Sequence, residues 1–271
     1  MRARIGRGKI IMKLASWNIN SVRTRQNLVA DFLADHAPDI LCLQETKVED
    51  DKFPRAFFDE LGYGHQTIRG QKSYNGTAII AKNAPDATDQ LMFDEQDGAR
   101  HIAARHDGVT IHNFYVPAGG DIPDPVANDK FAHKLRFLDD MQSYCASGAL
   151  AEASILVGDL NIAPSAHDVW STKQLANVVS HTEVEIKKLE DVRQAGGLVD
   201  AVRVVHPEPA ILYSWWSYRS PDFRKNNRGR RLDHIWVSPD LVPRIRHVAL
   251  LDDYRAREKP SDHIPLVLEL A

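Results

Sequence analysis

ILVGDLNIAPSAHD, residues 155–168, is the stretch on which the reading of this chain turns. A short apolar run ends at Gly158, and an acid, Asp159, and an amide, Asn161, follow two positions apart. Apolar runs of this length, bounded by turn residues, read as strands buried on both faces. Residues 153–159 are therefore expected to form a buried strand that ends on a carboxylate and a carboxamide. Side chains two apart on an extended chain share a face, so the pair is expected to point together.

The same pattern recurs on both sides. KLASWN (13–18), DILCLQE (39–45), GTAIIAK (76–82), HIAARHD (101–107), VTIHNFYV (109–116), LDHIWVS (232–238) and IPLVLEL (264–270) all read as strands. Asp107-Gly108 between two of them is a hairpin signal. Val22, Leu28, Val29, Phe32 and Leu33 lie at helical spacing and predict a helix over 22–38. Phe131, Leu135, Leu138, Met141 and Tyr144 predict an amphipathic helix over 129–147. A third, over 182–197, closes on two glycines. Early alternation of strand and helix, interrupted by hairpins, argues for mixed sheets. The sequence has no internal repeat or long linker, and the Pro- and Gly-rich loop 117–128 is too short to divide domains. A single domain over 12–271 is expected, with the basic residues 1–11 an extension and Met12 the effective start.

At 43% hydrophobic and 26% charged residues, the composition is that of an ordinary globular domain. No apolar run approaches the roughly 18 residues of a membrane helix. No apolar signal region follows the basic start, although a short organelle transit peptide would also be Arg-rich and acid-poor. Cys42 and Cys145, the only cysteines, make neither a disulfide framework nor a CxxC zinc site. A reducing, cytoplasmic setting is expected. The net charge of −3 conceals the segment 219–231, where Arg219, Arg224, Lys225, Arg228, Arg230 and Arg231 face Asp222 alone. Such a segment is either a solvated basic loop or a phosphate-binding surface.

Polar residues cluster at the strand ends: Asn18 and Asn20, Gln44 and Glu45, Tyr115, Asp159 and Asn161, Asp233, and Asp262 with His263. Singly, each is an ordinary turn residue. Together they supply a chemistry. Glu45, Asp159 and Asn18 offer hard oxygen ligands of the kind that suit Mg²⁺. His263 with a carboxylate such as Asp233 makes an orienting dyad. The sequence lacks a serine nucleophile elbow, a Walker loop and an HExxH motif. Metal-assisted hydrolysis of a phosphate ester fits what remains.

SWNIN, LQETK, NFYVP, GDLNIAP, RLDHIWVS and KPSDHIPL occur in this order at spacings that resemble the exonuclease III family of Mg²⁺-dependent apurinic/apyrimidinic (AP) endonucleases and 3′-repair exonucleases. The resemblance runs from Met12 to Leu270, and QETKVEDDKFP and NRGRRLDHI look closer to its bacterial branch than to distant relatives. It implies a four-layered α/β sandwich, two mixed β-sheets flanked by helices. It implies that Asp159 orients or deprotonates the attacking water and that Asn161 helps hold water and phosphate, with Gly158 leaving space beside the phosphate. It places Asn18, Glu45, Asp159, Asn161, Asp262 and His263 around the metal, Mg²⁺ with Mn²⁺ able to substitute. Tyr115 would face the scissile phosphate as phenol or phenolate, and His263 would contact a phosphate oxygen, oriented by Asp233.

The implied partner is double-stranded DNA with abasic sites or with blocked or recessed 3′ ends, bound by a monomer without membrane contact. The DNA contacts implied are Arg23, Arg25, Lys47, Lys72, Trp215, Arg219, Arg228 and Arg230, while Trp216 and Tyr218 read as core. Two positions depart from the family pattern: Ser21 replaces a usual glycine, and Arg230 replaces an apolar or aromatic wall residue. The rival readings are another phosphoesterase of the superfamily, such as a DNase I-like nuclease, an inositol-polyphosphate phosphatase or a sphingomyelinase, and a non-catalytic DNA-binding relative.

Overall fold

Alternation of aliphatic side chains along the central strands builds two sheets that share one core. In the computed structural model, which describes residues 12–93, 98–150, 153–219 and 222–271, the strands are β1 (Met12–Asn18), β2 (Ile40–Gln44), β3 (His65–Arg69), β4 (Thr77–Ala81), β5 (Ala87–Asp89), β6 (His101–His106), β7 (Val109–Tyr115), β8 (Ser154–Asp159), β9 (Val199–Asp200), β10 (Asp233–Val237), β11 (Ile245–Leu250) and β12 (Leu266–Leu270). One sheet runs β11-β12-β1-β2-β4-β3 and the other β5-β6-β7-β8-β10-β9. Each has a central parallel pair, β1 with β2 and β7 with β8, and antiparallel neighbours on both sides. The expected extension over residues 1–11 lies outside the described residues.

Period-two alternation decides which face each residue covers. Met12, Leu14, Ile40, Cys42, Ile79, Ile111, Ile155, Val157, Ile235 and Leu268 fill the layer between the sheets. Ala15, Trp17, Leu41, Leu43 and Ile80 face the other way, onto Leu28, Val29, Phe32 and Leu33 of helix α1 (Gln26–His36). On the second sheet, Phe114 and Leu156 meet α3 (Asp129–Ala146) and α5 (Glu183–Ala195), introduced after the short α2 (Arg55–Glu60) and α4 (Thr172–Leu175). Helix, sheet, sheet and helix make the four layers that the sequence implies. Cys42 sits in the core as a small buried thiol, its pKa pushed up by burial.

Local chemistry sets the helix ends. Arg23–Arg25 form a 3₁₀ turn, so the helix expected over 22–38 starts later, and it stops where Ala37 turns left-handed and donates to Leu33. Thr182 and Glu185 form a reciprocal capping box at the start of α5.

Gly158 has a different role from the one expected. A Cβ there would lie 1.9 Å from the Phe114 carbonyl oxygen, and its φ of +138° disfavours any L side chain. The glycine therefore permits close approach of β8 to β7, not space for a phosphate. Gly158→Ala is expected to destabilise by at least ~3 kcal/mol, the upper part of the overpacking range. A urea midpoint within error of wild type would contradict this.

The buried arginine Arg231 is likewise structural rather than part of a basic surface loop. Its Nε and Nη2 donate to Asp168 at 2.7 and 3.0 Å, and its Nη1 donates to Asp200 at 2.8 Å. Arg203 completes the network on Asp168. Burial raises the Asp168 pKa, but Arg231 and Arg203 outweigh it and hold the carboxyl below its ordinary value. A depressed carboxylate contributes stability above its unfolded pKa, about 4, that is lost as pH falls through the folded value. Asp168→Asn is expected to cost about 3–5 kcal/mol at neutral pH, because it leaves a buried guanidinium short of a partner. The loss should shrink below about pH 4, where wild type loses the same contribution; denaturant unfolding across pH checks it.

Candidate active site

The inward-facing row of each central strand turns from aliphatic to polar toward one end. On β1 it runs Met12, Leu14, Ser16, Asn18; on β2, Ile40, Cys42, Gln44; on β8, Ile155, Val157, Asp159. Just beneath the site, Gln44 Nε2 donates to Asn113 Oδ1 at 2.7 Å, and Asn113 Nδ2 donates to the carbonyls of Leu43 and Ala78. This buried amide pair joins the sheets and satisfies its own donors.

Register then aligns the acids. Tyr115 lies opposite Asp159, and Asp159 opposite Asp233, so three side chains stand abreast across β7, β8 and β10. The first sheet faces them with Asn18, at the end of β1, and Glu45, just past β2. Asn18 Nδ2 donates to Glu45 Oε1 and to Asp159 Oδ2, both at 2.8 Å. Asn18 thus braces the two carboxylates from its nitrogen side. Its own Oδ1 accepts from the Asn20 backbone.

Asn161 reaches Asp159 through a turn, not through strand alternation. Its φ is +53°; its backbone N–H donates to Asp159 Oδ1 at 2.9 Å and its Nδ2 to Oδ2 at 3.1 Å. Asn20, Ser21, Glu45 and Lys47 also have positive φ. Left-handed backbone at non-glycine residues is strained, and its concentration here marks a site the rest of the fold holds in place. Ser21, at φ +86°, adopts the conformation a glycine would take freely, and its N–H donates to the Glu45 carbonyl at 2.7 Å. That accounts for the usual glycine at this position.

His263 Nδ1 lies 2.8 Å from Asp233 Oδ2, and its Nε2 lies 3.6 Å from Asp159 Oδ2. Ser214 Oγ donates to the same Asp233 oxygen at 2.6 Å. Burial disfavours the imidazolium, but Asp233 and Asp159 outweigh it and raise the His263 pKa. Burial also raises Asp159, against the pull of His263. With carboxylates on both sides, the shared proton rests on the imidazole. Burial opposes the Glu45 carboxylate too, yet Lys47, 2.7 Å away, and Asn18 hold its pKa below the ordinary value. Tyr115 is pushed well above its usual range by burial, then by Glu45 and Asp159, so it stays a neutral phenol.

Among the described residues, atoms of Glu45, Asp159 and His263 lie within 4.8 Å of one another, the spacing of a metal site, with the two carboxylates free to ligate an ion while the imidazole keeps its proton. Asp262 stands at the rim, where Asn20 Nδ2 and Trp215 Nε1 donate to its two oxygens at 2.9 and 3.0 Å. Arg230 lies over the Trp215 ring, 5.4 Å from its centroid, and Arg25 Nη2 donates to the Tyr218 hydroxyl at 2.8 Å. Tyr218, expected as core, is 47% exposed, whereas Trp216 is buried. Lys47 is engaged with Glu45 and Asn20. Arg23, Lys72, Arg219 and Arg228 are exposed side chains, Arg228 stacking on Trp170. Sequence reasoning missed Ser214, which carries no signal as a buried serine, and Arg100, which lies over the Tyr115 ring.

A model of the endonuclease/exonuclease/phosphatase family matches residues 15–263. Exodeoxyribonuclease III of Haemophilus influenzae is 33% identical, over 95% of this chain and 99% of that protein. The chain belongs to the exonuclease III/AP endonuclease family. Two solved structures carry the same fold in detail. An AP endonuclease from Archaeoglobus fulgidus matches with a TM-score of 0.90 and 34% identity, over 96% of this chain and 99% of that one. A 3′ phosphatase from Neisseria, bound to a product DNA hairpin, matches with a TM-score of 0.89 and 33% identity, with the same coverage. In family terms, the site lies where both sheets present their polar ends, and each member of the expected core set, Asn18, Glu45, Tyr115, Asp159, Asn161, Asp233, Asp262 and His263, is found at or beside it.

Proposed function

We propose that this chain is a metal-dependent DNA repair nuclease that hydrolyses the phosphodiester 5′ to an abasic site and trims blocked or recessed 3′ ends. The observation that carries the reading is Asp159, buried and held at once by Asn18, Asn161 and His263 beside Glu45. Two carboxylates without a thiolate suit Mg²⁺, with Mn²⁺ able to replace it. Glu45 and Asp159 are the residues that would hold the ion, which when bound supplies Lewis-acid stabilisation of a phosphoryl oxygen.

The chain's own residues do the rest. Asp159 takes a proton from the attacking water, and Asn161 orients that water. His263, kept protonated by Asp233, donates to a non-bridging phosphate oxygen as charge develops there. Tyr115, a neutral phenol, supplies a second donor. Water attacks phosphorus, the bond to the 3′ oxygen breaks, that oxygen takes a proton from solvent, and a 3′-hydroxyl and a 5′-deoxyribose phosphate result. An abasic nucleotide lacks base stacking, so its extrusion is cheap and itself selects damage. Exposed Arg23, Lys72, Arg219 and Arg228 would meet backbone phosphates without reading sequence. A monomeric, cytoplasmic enzyme belongs to the same proposal. No helix among the described residues is long and apolar enough to cross a membrane.

The test uses a labelled duplex with one synthetic abasic site and an undamaged duplex with a recessed 3′ end, each with Mg²⁺ and with EDTA. Mg²⁺-dependent incision at the lesion and shortening of the control from its 3′ end are expected. Cleavage of neither, by folded protein that still binds DNA, contradicts the reading and favours phosphoesters outside DNA.

A further inference from the structure

Lys134 lies on the buried face of α3 and is fully buried, as is Glu185 on α5. Their charged atoms are 2.5 Å apart. The pair does more than join two helices. Lys134 Nζ also donates to the Asn161 carbonyl at 2.8 Å and reaches the Ala118 carbonyl at 3.4 Å. Gly119 makes room for its stem: a Cβ there would stand 2.9 Å from Lys134 Cδ. Glu185 in turn accepts from the Ser180 backbone N–H with both oxygens at 2.9 Å, and from the Thr182 hydroxyl at 2.6 Å. Ser180, at φ +88°, uses its hydroxyl and the preceding Val179 carbonyl to hold Arg230 Nη1, at 2.6 and 3.0 Å.

One ion pair thus fixes two separate walls of the site. On one side is the left-handed Asn161 turn, whose side chain holds Asp159. On the other is the segment that holds Arg230 over Trp215. A buried ion pair is poor value as a stability device, because desolvation consumes most of its Coulombic gain. A mainly structural pair could be replaced by apolar side chains without penalty. The bonds that leave this pair go to backbone atoms of the site, which apolar replacements cannot reproduce.

We propose that the Lys134–Glu185 pair is a positioning device that sets the Asn161 turn, and through it Asp159, in register with the Arg230–Trp215 wall. Lys134 touches no reacting atom; it acts through the Asn161 carbonyl. Without its ammonium group the turn is free to rotate toward water, and Asn161 leaves Asp159. The inference rests on the nuclease reading above.

The experiment measures kcat, KM and Tm on the abasic duplex with Mg²⁺ for wild type, Lys134→Met and the double variant Lys134→Met/Glu185→Gln, whose amide keeps an acceptor for Ser180 and Thr182, at a temperature where each is folded. Lys134→Met is expected to lower Tm and to lower kcat by about 10²-fold, the scale of a misplaced catalytic group, with KM changed less than about twofold. The double variant removes the orphaned Glu185 charge, so Tm returns toward wild type while kcat stays low. Recovery of both Tm and kcat in the double variant overturns the proposal, as does wild-type kcat in folded Lys134→Met. If Lys134→Met fails to fold, the double variant alone decides. An inactive wild type would instead strike the nuclease reading.

Discussion

Asp159→Asn lowers kcat on an abasic duplex by about 10²–10⁴-fold, the range for loss of a positioned general base, and lowers the stability of the fold. Both halves of this result follow from the surroundings of the carboxylate. Asp159 is buried and stands abreast of Asp233 and close to Glu45, so three carboxylates compete for a small space. Neighbouring like charges disfavour one another. Asparagine relieves that crowding, but Oδ1 accepts from the Asn161 backbone and Oδ2 from Asn18 and Asn161, so the new NH₂ faces a donor in either orientation; the base is lost and the unmatched donors cost about 1–3 kcal/mol. A Tm measured beside single-turnover rates checks both halves. A variant with wild-type rate contradicts the assignment of Asp159. A variant as stable as wild type contradicts the donor argument.

Asp233→Asn gives a comparable loss of rate, about 10²–10⁴-fold, and also destabilises. Asp233 Oδ2 accepts from both His263 Nδ1 and Ser214 Oγ, while Oδ1 is buried without a partner among the described residues. An amide placed here must either bury an NH₂ at the Oδ1 position without an acceptor or turn it toward His263 Nδ1. The first choice costs about 1–3 kcal/mol for an unsatisfied buried donor. The second removes the hydrogen bond that fixes the imidazole tautomer. Either way His263 loses the charge that keeps it protonated, so the variant's rate should fall off at lower pH than that of wild type. The sign follows from the raised His263 pKa: the acid form persists to high pH because the Asp233 carboxylate lies beside it. A pH–rate profile separates this variant from Asp159→Asn, and a urea midpoint checks its stability.

The parts of the fold that were legible in the sequence were those whose local pattern and tertiary environment agree. β1, β2, β4, β7, β8, β10 and β12 are buried along almost all of their length and show as short, mainly apolar runs. The edge strands β3, β5 and β11 are exposed along much of their length and carry no such run. β9 is only two residues long. The acids of the site were legible because they end these runs. Their alignment was not, because the register of Tyr115, Asp159 and Asp233 is set between strands far apart in sequence. The same limit explains Gly158, whose close neighbour is Phe114, and Arg231, whose partners Asp168 and Asp200 are distant along the chain. Lys134 was within reach. It takes a place on the buried stripe of α3 with Phe131, Leu138, Met141 and Cys145, while Leu135 and Tyr144, expected there, are only partly buried. A lysine interrupting an apolar stripe signals a buried partner.

The central claim is that Asp159 directs water at phosphorus. Incision of the abasic duplex in oxygen-18-labelled water, followed by mass spectrometry of both product ends, tests it most directly. The account predicts the label in the 5′-deoxyribose phosphate, an unlabelled 3′-hydroxyl, and loss of both products with EDTA or in Asp159→Asn. An unlabelled 5′ phosphate with a 3′-unsaturated sugar end, formed equally well in EDTA, would mean that the strand is cut by elimination at the sugar and would contradict it.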